Sequence, residues 1–263
     1  INDKGVGNGI SIILFAGIVA RLPVTFGTVW EYMQLGIQSS SSAGQYLILA
    51  PLFIVLFLVV IWVIVFMNEA ERRIPVQYAK KVVGRKMYGG QSTFLPIKVS
   101  MSGVMPVIFA SAILSIPQFI KLFANPTEGF WKAVLDAFSQ TGWVYIVLYF
   151  LLILMFAYFY MSIQYNPLEM ANNLRQSNGT IPGIRPGKPT ADFIAKILSK
   201  VTLIGALFLA FVALVPIIYT SVTGMYGLSL GGTSIIIIVG VALETVKQLE
   251  SQMMMRHYKG FLD

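Results

Sequence analysis

Cysteine does not occur in this 263-residue chain. That excludes a disulfide framework, a cysteine-ligated zinc site and a thiol nucleophile. Histidine occurs once, as His257 near the end, so no Ser–His pair can be assembled inside the apolar part of the chain. Charge is scarce: charged residues make up 11% of the sequence, against about 25% in average soluble proteins. Negative charge is scarcest, with 11 Asp and Glu against 19 Lys and Arg and a net charge of +8. Apolar residues fill the difference, at 56% of the chain, and the mean hydropathy is +0.75. This balance belongs to a membrane protein with an acidic neighbour, whether lipid headgroups, RNA or an acidic protein face.

A helix needs about 20 apolar residues to cross the hydrocarbon core. Six stretches qualify, at about Ile10–Leu22, Tyr46–Met67, Gly103–Phe119, Trp143–Tyr165, Val201–Tyr219 and Ser234–Met255. The expected fold is all-α, a polytopic membrane protein of six transmembrane helices. Lys and Arg gather in alternate loops. Seven lie in Asn68–Lys98, five in Glu169–Lys200 and three after Glu244, while the intervening loops hold two, one or none. By the positive-inside rule this alternation places both chain ends in the cytoplasm. The start at Ile1, with "INDKGVGNGIS" running straight into an apolar stretch, reads as a chain entered in its middle. It lacks the charged n-region and cleavage site of a signal peptide.

The spans carry almost no ionisable residues; only Arg21 and Glu244 approach an edge. Buried carboxylates and facing Asp pairs are the usual marks of proton-coupled carriers and intramembrane enzymes, so neither class is favoured. Carbonyl coordination at broken helices keeps a secondary transporter of small solutes as the alternative reading. An apolar lining can itself serve a function, because a hydrophobic constriction gates by excluding water. Three short motifs are chance matches. "GVGNG" follows no strand, "GKPT" has Pro182 where a phosphate-binding loop needs its first glycine, and the sequon at Asn178 falls in a cytoplasmic loop.

The two basic loops carry pattern of their own. Ile74, Val76 and Tyr78 alternate with Arg73, Pro75 and Gln77, and Leu95, Ile97 and Val99 alternate further on. The period of two predicts a β-hairpin-like loop, with Lys80, Lys81, Arg85 and Lys86 toward its tip. In "IPGIRPG" Pro182 and Pro186 stiffen the backbone while Gly183 and Gly187 permit tight turns. Arg185 is thereby presented at a rigid tip, suited to bidentate capture of a carboxylate or phosphate. A helix is expected to restart after it, with Thr190 as N-cap.

The stretches "GNGISIILFAGIVARLP", "ERRIPVQYAKKVVGRKMYGGQSTFLPIKVSMSGVMPVIFA", "NPLEMANNLRQSNGTIPGIRPGKPT" and "LGGTS" together resemble the SecY family, the channel subunits of the bacterial Sec protein translocase. The resemblance covers the whole chain, in order, and aligns it with the fifth to tenth transmembrane helices. It implies that residues 1–43 are the last helix of the first half and an external loop. Residues 44–263 would be the second half, with cytoplasmic loops 68–98 and 169–200. It implies a pore ring containing Ile10, Leu14, Ile108 and Ile237, completed by residues on the N-terminal part of SecY. Leu14 stands where isoleucine is often found, a change of shape but not of apolarity. The third and fourth spans would flank a lateral gate. Arg73, Lys80, Lys81, Arg85, Lys86 and Arg185 would dock the SecA ATPase and the ribosome, whose rRNA phosphates suit a cation cluster.

Further partners implied are SecE, SecG, signal peptides, translocating polypeptides and membrane lipids. The resemblance implies no catalytic residue, metal or cofactor, because ATP hydrolysis would belong to SecA. The location would be the bacterial cytoplasmic membrane. An insertase that only delivers membrane proteins would look the same in sequence.

Overall fold

The computed structural model describes residues 9–38, 44–78, 81–83, 86–88, 92–100, 103–124, 138, 142–225 and 231–259. At 10, 81–83, 86–88, 92, 124 and 255–259 it describes the backbone alone. Helices α1 (Gly9–Val19), α2 (Leu22–Gln38) and α3 (Tyr46–Glu69) come first. Strands β1 (Glu71–Tyr78), β2 (Lys81–Val83), β3 (Lys86–Tyr88) and β4 (Ser92–Lys98) follow. Then come α4 (Met105–Ala124), α5 (Trp143–Gln164), α6 (Pro167–Gln176), β5 (Gly179–Thr180), α7 (Lys188–Thr223) and α8 (Gly232–Lys259). Among the described residues six helical segments are long and apolar enough to cross a membrane, with α1 and α2 counted as one segment. The protein is a multi-pass membrane protein, helical apart from small antiparallel sheets. Helix α3 shows why: its 24 residues reach about 36 Å at 1.5 Å per residue, and it is apolar on every side, as a membrane span is.

Two boundaries differ from the sequence reading. The stretch after Leu22, expected to be an external loop, is the helix α2. Its buried positions Thr25, Val29 and Gly36 recur at helical spacing. Pro23 has no N–H to give and so interrupts the bond ladder between α1 and α2. The Arg21 N–H turns back instead to the Ile18 carbonyl (3.0 Å), and the Thr25 hydroxyl donates to the Arg21 carbonyl (3.2 Å). At the other end of the chain, the helix expected to restart near Thr190 and the span expected from Val201 are one continuous helix of 36 residues, α7.

The chain separates into two compact units. The first comprises Ile1–Phe66, Ser111–Phe150 and Ala210–Asp263. In it Val29, Ala50, Phe53 and Met225 form a buried cluster edged by Tyr32, Tyr46 and Tyr219. The Tyr219 hydroxyl donates to the Leu49 carbonyl, and the Phe53 and Tyr219 rings lie 5.5 Å apart. Helix α1 packs against α8 in this unit.

The second unit comprises Met67–Ala110 and Leu151–Leu209. Here β1 pairs antiparallel with β4, so that Ile74 faces Leu95 and Arg73 faces Pro96. β5 adds a third strand on the other side of β1, pairing Gln77 with Thr180. One face of this sheet buries Ile74, Val76 and Ile97 against Ala171 and Leu174 of α6 and against Ile194, Leu198 and Val201 of α7. The expected hairpin is therefore present, and the second basic loop completes it into a platform.

Helix α6 carries its own termini. The Asn166 side chain accepts from the Leu168 N–H (3.1 Å), Pro167 opens the first turn, and Glu169 and Arg175 complement the helix dipole. Asn178 ends it in the left-handed region at φ 54°. The next residue, Gly179, sits so close to Leu174, Tyr78 and Val76 that a Cβ there would lie 3.1 Å from each.

Candidate functional site

The exposed tip of the platform is built by the chain from 181 to 190. Ile181 is buried in the platform core. The Ile184 N–H returns to the Ile181 carbonyl (3.1 Å), with Pro182 and Gly183 between them. Gly183 has φ +81°, the value a type II turn requires after proline. Ile184 packs against the core, Arg185 next to it is exposed, and Gly187 has φ +104°. Thr190 is not an N-cap. It lies inside the first turn of α7, and its buried hydroxyl donates to the Arg185 carbonyl (2.8 Å). The α7 bond ladder begins with the Ala191 N–H donating to the Gly187 carbonyl (3.1 Å).

The other expected docking cations are distributed as follows. Arg73 stands on the exposed face of β1 opposite Pro96. Lys81 and Lys86 lie on a second small hairpin, paired with Tyr88 and Val83. Lys80 and Arg85 lie outside the described residues. The exposed face around Arg73 also carries Pro75 and Phe94, which pair across the strands, and Phe94 is 57% exposed.

The four expected ring residues fall on three helices. Ile10 and Leu14 are on α1 and Ile237 is on α8, two helices that pack together in the first unit. Ile108 is on the part of α4 that belongs to the second unit. The side chain of Ile10 lies outside the described residues. Leu14 is exposed, while Ile108 and Ile237 are half-buried. Their helices bury other faces: Val107, Ala110 and Leu114 on α4, and Ile235, Ile236 and Val239 on α8. Ile108 and Ile237 therefore stand beside packed stripes without belonging to them, while α1 buries no residue among those described.

A family model described as SecY matches residues 1–246. The chain belongs to the SecY family. Similar curated relatives are each a "Protein translocase subunit SecY". That of Streptomyces galbus is 45% identical over 268 residues, that of Corynebacterium glutamicum 43% over 273 and that of Mycobacterium tuberculosis 42% over 272. In each case the alignment takes in 100% of this chain and 59% of the relative, so the chain spans about three-fifths of their length.

Two solved structures share the fold at 18% identity. One is a SecY protein whose plug domain stabilises the closed state of the translocation channel and maintains a membrane seal (TM-score 0.62, covering 95% of this chain and 61% of that chain). The other is a protein-conducting channel (TM-score 0.59, covering 95% and 60%).

Several features of this SecY chain now have a physical reason that sequence reading missed. In "LGGTS" a Cβ on Gly232 would collide with the backbone of Ala213 and Val212, so α8 can start against α7 only with glycine there. In "NGT" Asn178 supplies the left-handed turn, Gly179 the close fit, and the Thr180 hydroxyl donates to the Gln77 carbonyl (3.3 Å). That triplet is the corner that brings β5 onto the sheet. Neither close fit could be read from local pattern, because Val212 and Ala213 in the one case and Val76 and Tyr78 in the other lie far away in the chain.

Proposed function

We propose that the chain forms the C-terminal part of a protein-conducting channel. This channel passes unfolded polypeptides across the bacterial cytoplasmic membrane and releases hydrophobic segments sideways into it. One observation carries the proposal: a single family, SecY, accounts for both the apolar spans and the polar platform, through residues 1–246. On this reading residues 1–43 close the first half of the channel and 44–263 are its second half. Ile10, Leu14, Ile108 and Ile237 contribute to an apolar ring that stays dry at rest. Helices α4 and α5 flank the lateral exit.

The platform and both chain ends lie in the cytoplasm, a reading supported by the distribution of Lys and Arg. Arg73, Lys80, Lys81, Arg85, Lys86 and Arg185 meet the SecA ATPase and the rRNA of the ribosome, and phosphate neutralisation favours the latter. SecE, SecG and the N-terminal part of SecY complete the complex. The chain itself catalyses no reaction; ATP is hydrolysed by SecA.

The test is transport by a complete complex, with the missing N-terminal part, SecE and SecG, in proteoliposomes supplied with SecA and ATP. Import of a preprotein to a protease-protected state is expected. Arg185→Glu is expected to cut that import strongly while the complex still inserts in the membrane. Absence of import by the unaltered complex would overturn the channel reading, and normal import by Arg185→Glu would overturn the docking role.

A further inference from the structure

We infer that Thr190 is the positioning residue for Arg185. It would hold the arginine's backbone in the presenting geometry from the first turn of α7. This inference rests on the docking role proposed for Arg185.

The residues around the tip define the problem. Pro186 restricts Arg185 to extended conformations but offers no N–H. Pro182, Pro186 and Pro189 leave few backbone donors in the segment. The atom that meets this carbonyl is the Thr190 hydroxyl, at 2.8 Å across five residues. Thr190 is 5% exposed, so its hydroxyl has little access to competing water. On the near side Ile184 is seated against the platform core and tied back to Ile181 (3.1 Å). Arg185 is thus held on both flanks while its side chain projects into solvent. An arginine whose backbone is fixed in this way loses less freedom when its guanidinium engages a carboxylate or phosphate. Without the hydroxyl, the Pro186–Gly187 pair, with Gly187 at φ +104°, becomes a hinge beneath it.

The experiment measures SecA affinity for the complete channel in nanodiscs, carrying Thr190→Val, Thr190→Ser, Arg185→Ala and the double variant Thr190→Val/Arg185→Ala. Valine keeps the shape of threonine and removes the hydroxyl; serine keeps the hydroxyl. Thr190→Val is expected to weaken SecA binding about fivefold, a factor equal to one hydrogen bond. Thr190→Ser is expected to restore most of that loss. Once Arg185 is alanine, Thr190→Val should weaken binding no further, because a positioning residue has nothing left to position.

Wild-type affinity in Thr190→Val, or an equal additional loss in the double variant, would overturn the inference. This holds even if valine lowers thermal stability, because a general loosening of the platform would act with or without Arg185. The docking reading falls separately: wild-type affinity in Arg185→Ala would remove it, whatever Thr190 does.

Discussion

The platform and the α1–α2 segment show two ways of using apolar side chains. The platform has few of them and buries them well: Ile74, Val76, Ile97, Leu174, Ile194 and Leu198 all lie inside. The α1–α2 segment is richer in apolar residues and buries almost none. Only Thr25, Val29 and Gly36 are internal among its described residues, while Ile13, Val24, Phe26, Trp30, Leu35 and Ile37 are exposed. In water such a surface would be a liability. In a bilayer it is a normal lipid-facing or helix-packing face, since lipid gives no hydrophobic drive to hide it. Between these two regions hydropathy marks the span and burial marks the platform, whereas α7, apolar and largely buried, carries both marks.

Glycine substitutions should break this contrast most sharply. A Cβ on Gly205 of α7 would lie 2.5 Å from the Val99 carbonyl oxygen, and nothing lies within 4 Å of one on Gly17 or Gly27. Gly205→Val is expected to abolish recovery of folded complex, while Gly17→Val and Gly27→Val are recovered normally by size-exclusion chromatography in detergent. Next in size is truncation of the platform core. Leu198→Ala, at a side chain with no exposure, should cost about 2–5 kcal/mol, read as a lowered thermal midpoint of the platform. Ile13→Ala, on an exposed face of α1, should change the same midpoint by no more than about 0.5 kcal/mol equivalent. The smallest effect is expected on the outer face of the sheet: Phe94→Ser should shift stability by about 0.5 kcal/mol or less, whereas Val76→Ala, one strand away and internal, should be several times worse.

The sequence was readable wherever an element is regular and long. Uninterrupted apolar runs mark α3 and α5, and period two in Ile74–Val76 and Leu95–Ile97 marks the hairpin. The helix α2 escaped because Arg21, Pro23 and Glu31 interrupt its run and its inward positions, Thr25 and Gly36, are not apolar markers. The strand β5 escaped because two residues cannot display a period. Thr190 was misread because a hydroxyl before an apolar run looks like a cap, and its actual acceptor, the Arg185 carbonyl, depends on a loop path set by glycines at positive φ. The ring residues are legible only through family resemblance. An isoleucine that lines a constriction and one that faces lipid are the same residue, and neither leaves a local signature.

The apolar ring is the central claim, and resting ion conductance of the complete complex in planar bilayers tests it most directly. Asparagine in place of Ile108 or Ile237 should hydrate the constriction and raise the resting conductance several-fold over the unaltered channel, with the double variant leaking more than either. A resting conductance unchanged in both single variants and in the double would contradict the account.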